Sequence, residues 1–119
     1  MKRDLELIRK MLFAVEDSPK GFAPELEIEG YTPTQIGYHA YLLIDGGFAK
    51  GPELTHMGSE SPEARIMSLT WEGHDFAEAA RDPDRWQQAM KIAKDKGGNV
   101  TLDVFKQLLI SLMKAAVGL

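Results

Sequence analysis

The residues able to do chemistry in this chain are few and scattered. Its three histidines, His39, His56 and His74, fall in separate segments. They lack the i, i+4 pairing of a helical zinc site and the short loop spacings of other metal motifs. The absence of cysteine excludes thiol nucleophiles, thiolate metal sites and disulfides, and fits a reducing compartment. His74 stands beside Asp75 and close to Glu72, which suggests a general acid–base pair. Adjacent residues on a helix point in different directions, however, and acids at that place suit the positive end of a helix dipole. Gly46-Gly47 and Gly97-Gly98 follow helical patterns instead of preceding them, so they read as helix C-caps and not as phosphate cradles. No Gly-x-Ser-x-Gly elbow or Walker sequence occurs, and the expectation is a protein with no catalytic residues, no metal and no cofactor.

What remains is recognition, and its candidates lie on one helix. Thr32 can satisfy a free backbone N–H and Pro33 can occupy the first helical position, so a helix should run from there to about Asp45, where Gly46-Gly47 stop it. Helical spacing places Ile36, Ala40 and Leu43 on one face with His39 and Ile44 beside them, and turns Thr34, Tyr38, Tyr41, Leu42 and Asp45 the other way. Gln35 and His39 offer hydrogen bonding of the kind that reads base edges. Tyr38 and Tyr41, at i and i+3 with Leu42 alongside, look more like a protein-contact surface. The alternative for the tyrosines is packing beneath the N-terminal segment or the hairpin.

The elements that must position this helix are also legible. A first helix is expected from about Asp4 to Asp17, with Leu5, Ile8, Leu12 and Val15 as its buried stripe. Leu26-Glu27-Ile28-Glu29 alternates like a short strand that could pair with a hairpin. Phe48-Ala49-Lys50 should begin the hairpin and Ala64 to Leu69 complete it, across a long exposed loop carrying Glu53, Glu60 and Glu63. Lys50 and Arg65, at the roots of that loop, are the cations available for phosphates, whereas its acidic tip would be repelled by them. Thr70 and Asp82-Pro83 start two further helices, the second with Trp86, Ala89, Met90 and Ala93 at helical spacing. Thr101 should cap a last, strongly apolar helix. Its Phe105, Leu109, Leu112, Met113 and Ala116 are expected to dock on a second copy and form a homodimer. Lys106 and Lys114 are too few for a membrane-surface anchor.

Helix, hairpin and capped helix in this order give a fold class that is mainly α with a small β-hairpin. The expected organisation is a winged-helix-like domain over 1–98 and a C-terminal apolar helix over 99–119, forming one domain overall. The chain has 119 residues and a net charge of -4, a length that allows a modest core and a charge that argues against coating nucleic acid. Lys2, Arg3, Arg9 and Lys10, and later Arg81, Arg85, Lys91, Lys94 and Lys96, are interleaved with acids and read as solvated helix faces. The first residues, Met1-Lys2-Arg3-Asp4, open into an amphipathic pattern without an apolar signal core, so neither export nor a membrane span is expected and the setting is cytoplasmic.

Several of these stretches together resemble a small uncharacterised bacterial and prophage family, a domain of unknown function. They are Met1 to Lys10, Gly30-Tyr31-Thr32, Tyr38-His39, Leu42 to Gly47, Leu69 to His74 and Lys96-Gly97-Gly98. The resemblance spans nearly the whole chain and implies a winged-helix-like fold, a frequent association with mobile elements and no established activity. More broadly, His39 to Phe48 and Leu69-Thr70-Trp71-Glu72-Gly73 resemble the recognition-helix end and the wing end of winged-helix regulators. The region from Ser18 to Tyr31, where such regulators place a positioning helix, contains prolines and glycines instead. Two functions follow. One is a dimeric regulator that binds duplex DNA through Gln35, Tyr38, His39 and Tyr41, with Lys50 and Arg65 on phosphates. The other is a protein-binding module using Tyr38, Tyr41, Leu42 and the acidic hairpin. Fold statistics place the DNA regulator first, while charge favours the module.

Overall fold

The computed structural model describes residues 1–97 and 100–118. Among them the order is α1 (Leu5–Glu16), α2 (Pro33–Asp45), β1 (Ala49–Lys50), β2 (Ser68–Leu69), α3 (Trp71–Ala79), α4 (Pro83–Asp95) and α5 (Leu102–Ala116). The chain is thus mainly helical with a small antiparallel hairpin, an order compatible with a winged-helix-like arrangement. It forms two compact units, Met1–His74 and Asp75–Leu119, so that α5 shares its unit with α4.

In the first unit, α1 starts where the Asp4 carboxylate accepts the Leu7 N–H at 3.1 Å, satisfying one of the donors that a helix start leaves open. It buries Leu7, Ile8, Met11, Leu12 and Val15, while Leu5 is half-buried. The stripe is therefore broader than the expected one. At the start of α2, the Gln35 N–H donates to the Thr32 hydroxyl at 3.1 Å and the Thr32 N–H donates to the Gln35 side-chain carbonyl at 2.9 Å, a reciprocal capping box. The end of α2 is equally defined: Phe48 N–H reaches Leu43 O at 2.8 Å and Gly47 N–H reaches Ile44 O at 3.1 Å. This double closure needs a left-handed residue, and Gly47 supplies it at φ +85°. Phe48 then folds back into the core.

The hairpin pairs Ala49 with Leu69 and Lys50 with Ser68. Its two arms stay bonded further out, through Met67 N–H to Lys50 O at 2.8 Å, Arg65 N–H to Pro52 O at 3.1 Å and Leu54 N–H to Glu63 O at 2.9 Å. At Gly51 the arms approach so closely that a Cβ would lie 1.8 Å from Arg65 O. The second arm is also tied to the helix, by Ala64 N–H to Gly37 O at 3.1 Å. The strand expected at Leu26-Glu27-Ile28-Glu29 does not form. Ala23 N–H donates to Met67 O at 2.8 Å, but Pro24 follows with no N–H to continue a ladder, and Tyr31 N–H turns back to Ile28 O at 3.1 Å.

The second unit is built on α4 and α5. Asp82 caps α4 by accepting the N–H groups of Asp84 at 2.8 Å and Arg85 at 3.2 Å, and Thr101 caps α5 by accepting from Val104 at 3.1 Å. Arg85 reaches back to the end of α3, donating from Nε to Ala79 O at 2.7 Å and from Nη2 to Glu78 O at 3.3 Å. Phe105 meets Trp86 edge-on at 5.2 Å and Phe76 at 6.4 Å between ring centroids, a favourable aromatic geometry. Gly97 is left-handed after α4, whereas Gly98 and the boundary expected between 98 and 99 lie outside the described residues. Among the described residues no helix is long and apolar enough to cross a membrane.

Candidate interaction surface

The candidate reading helix carries its polar groups differently from expectation. His39 is 1% exposed. Its Nδ1 lies 2.8 Å from Gln35 O and its Nε2 accepts the Asp4 N–H at 2.8 Å. Accepting at Nε2 places the proton on Nδ1, which then donates to Gln35 O, so both ring nitrogens are engaged by backbone. The ring clamps the start of α1 onto α2, which removes His39 from the base-reading set. Gln35 has its carbonyl oxygen occupied in the capping box, so it too is turned toward its own backbone.

Asp4 gathers more than one partner at this junction. Burial, the Asp4 carboxylate and a hydrogen bond to it, and the charge of Glu6 together raise the Tyr31 pKa above its usual 10.0. The Lys10 ammonium lies 5.6 Å from the Tyr31 ring centroid, within cation–π range. Tyr31, like His39, therefore belongs to the seam between α1 and α2.

Tyr38 and Tyr41 form a stacked pair with centroids 6.5 Å apart and planes inclined by 22°. Both are half-buried, as is Leu42. The helix that bears them contains no lysine or arginine. Lys50 and Arg65 are exposed on the hairpin arms, where they were expected. On α5, Phe105 and Leu109 are fully buried, so these two members of the expected dimer seam are not available to a second copy. Leu112 and Met113 are half-buried and Ala116 is exposed.

Two features were not anticipated. At the hairpin tip, the Ser59 hydroxyl donates to Glu63 Oε1 at 3.0 Å and lies 2.8 Å from His56 Nδ1, which itself lies 3.3 Å from that carboxylate oxygen. This is a serine, histidine and acid in contact, but the order is wrong for nucleophile activation. The acid and the serine approach the same ring nitrogen, Nδ1, whereas in a triad they take opposite nitrogens of the ring. The group instead folds the tip, with His56 N–H donating to Ser59 Oγ at 3.0 Å. The second feature is Trp71, 82% exposed at the first position of α3. Gly73, Phe76, Ala77 and Ala80 are buried, and Trp71 lies off their helical stripe, a signal available from spacing alone. His74 Nδ1 lies 3.0 Å from Glu16 Oε2, so the acid it meets is on α1 and not the neighbouring Asp75 or Glu72. Among the described residues no group of three or more metal-ligating side chains could hold an ion.

Comparison with known proteins adds lineage without adding an activity. The chain is 29% identical over 126 residues to an uncharacterised protein of Haemophilus influenzae, a match covering 97% of this chain and 100% of the relative. No solved structure matches significantly. Residues 2–99 match the family described as "Hypothetical protein (DUF2513)", and the chain therefore belongs to that family.

Proposed function

We propose that this chain is a non-enzymatic protein-interaction module of the cytoplasm. Its partner is a host or mobile-element protein, the setting that the family resemblance implies. The observation that carries this reading is the chemistry of α2. Its accessible side is a stacked Tyr38–Tyr41 pair beside Leu42, it bears no cation, and its candidate base readers are engaged by backbone. Aromatic area with little rotamer entropy suits protein contacts, whereas duplex recognition draws most of its affinity from Lys and Arg. The test is co-purification from the native host with tagged full-length chain and with a Tyr38→Ala/Tyr41→Ala variant. Loss of a specific partner with an unchanged melting temperature is the expected result. A large fall in melting temperature would assign the tyrosines to the core instead.

A winged-helix regulator of transcription is the second reading, favoured by Lys50 and Arg65, both exposed on the hairpin arms. Salt-sensitive binding to random duplex, lost in a Lys50→Ala/Arg65→Ala variant, would establish it in place of the first. A homodimer through Leu112, Met113 and Ala116 is compatible with either.

A further inference from the structure

Two depressions in the first unit lie apart from the Tyr38–Tyr41 pair, although Arg65 and Glu63 of the hairpin line one of them. One, of about 200 Å³, lies between Pro24–Leu26, α2 and the hairpin, with Leu26, Ile36, Ala40, Leu54 and Ile66 in its wall. The other, of about 530 Å³, follows Leu26 to Tyr31 and shares Leu26, Pro33 and Ile36 with the first. Through these shared residues an aliphatic lining runs from one depression to the other, and we call the pair the trough. Its rim is mainly acidic: Glu25 and Glu63 line the first depression and Glu27 and Glu29 the second, against Arg65 in the first and the Lys10 ammonium, 5.6 Å from the ring of Tyr31, at the second. Leu26 and Ile28 are half-buried while Glu27 and Glu29 are exposed, so this wall alternates apolar and anionic groups along its length.

An extended polypeptide places alternate side chains on opposite faces. A segment that sets aliphatic side chains against Leu26 and Ile28 and cations against the glutamates matches this lining in its alternation and its charge. The same rim repels phosphate, which separates the trough from a nucleic-acid groove. We propose that the trough binds an extended, lysine- or arginine-bearing segment of a protein partner. The proposal rests on the protein-interaction reading and specifies the kind of ligand.

The experiment uses the full chain and a short labelled peptide alternating lysine and leucine, with a control alternating glutamate and leucine, read by fluorescence anisotropy. The lysine peptide should bind, more weakly at higher salt, and the glutamate peptide should not. Glu25→Lys/Glu27→Lys should reduce affinity by roughly tenfold or more, and Leu54→Ser should weaken it independently. Leu54 is 49% exposed and Glu25 and Glu27 are exposed, so both variants should keep the native melting temperature. Amide shifts on peptide addition should map to Leu26, Ile36 and Ile66. Equal binding of the two peptides, indifference to these variants, or shifts confined to α5 would overturn the proposal. In the native host, a partner still captured by Glu25→Lys/Glu27→Lys but lost by Tyr38→Ala/Tyr41→Ala would overturn the trough and leave the interaction module standing. Recovery of no partner by any form would count against the module, while the peptide result decides the trough by itself.

Discussion

A buried imidazole with two backbone partners is a structural part whose removal has a calculable effect. Replacing His39 with alanine opens a cavity, leaves the Asp4 N–H without its acceptor and removes the second hydrogen bond on the Gln35 carbonyl, an expected loss of about 2–4 kcal/mol in urea unfolding. His39→Asn keeps a donor near the Nδ1 position but cannot reach Asp4, and should fall between the two. If His39→Ala left stability intact and abolished partner capture, the clamp would be wrong. Spacing placed His39 beside the buried face, but residue type alone could not reveal a partner 35 positions earlier. Close approach is similarly invisible in sequence. A Cβ at Gly73 would lie 1.9 Å from Phe48 O, as one at Gly51 would lie 1.8 Å from Arg65 O. Gly73→Ala and Gly51→Ala should each cost about 3 kcal/mol, measured against Gly58→Ala. At Gly58 a Cβ meets only the His56 side chain, at 3.3 Å, and little change is expected. Tyr31 adds a pH dependence. Its raised pKa means that the phenol favours folding fully below pH 10.0, and that this contribution disappears as pH rises through the folded-state value. Tyr31→Phe should flatten the alkaline limb of a melting-temperature profile, and an unaltered limb would dissociate Tyr31 from Asp4.

Helix boundaries were the most legible elements because capping chemistry is local. Thr32, Asp82 and Thr101 each accept backbone N–H groups at the helix starts they were expected to mark. In the capping box, Thr32→Ala should cost about 1 kcal/mol, with Gln35→Ala costing less when Thr32 is already absent. Strict additivity in chemical unfolding would show that the two bonds do not act together. The segment at Leu26-Glu27-Ile28-Glu29 shows where such reasoning stops. Its alternation did foretell burial, since leucine and isoleucine are half-buried and the glutamates exposed, but alternation reports an extended backbone with two faces and carries no information on whether a neighbour supplies hydrogen bonds. The result is a wall of a trough, not a third strand. At the hairpin tip, the loop was foreseen while the contacts among His56, Ser59 and Glu63 were not, because they depend on how the turn closes.

At the scale of the molecule, charge and surface decide what the fold is used for. A net charge of -4 does not itself forbid a basic patch, but α2 contributes no cation and the trough beside it is rimmed by glutamates. Counterion release would then rest on Lys50 and Arg65 and on basic residues interleaved with acids. The full chain should show no salt-sensitive affinity for random duplex at low ionic strength, and measurable binding that falls steeply between two salt concentrations would reverse the ranking of the readings. Self-association follows a separate argument. The apolar excess of α5 suggested a dimer, yet Phe105 and Leu109 are already fully buried, and Phe105 is packed against Trp86 and Phe76. The apolar side chains still accessible on α5 are Val104, 54% exposed, exposed Ala115 and Ala116, and half-buried Leu108, Ile110, Leu112 and Met113, with Val117, 65% exposed, at its C-cap. With Phe105 and Leu109 committed to the fold, a dimer here would bury mostly the outer parts of these side chains, and weak association is the expectation. Sedimentation across a concentration series should therefore show association only at high concentration, and Leu112→Glu/Met113→Glu should abolish it without lowering the melting temperature. A dimer that persists at low concentration, or in that variant, would place the interface elsewhere on the chain.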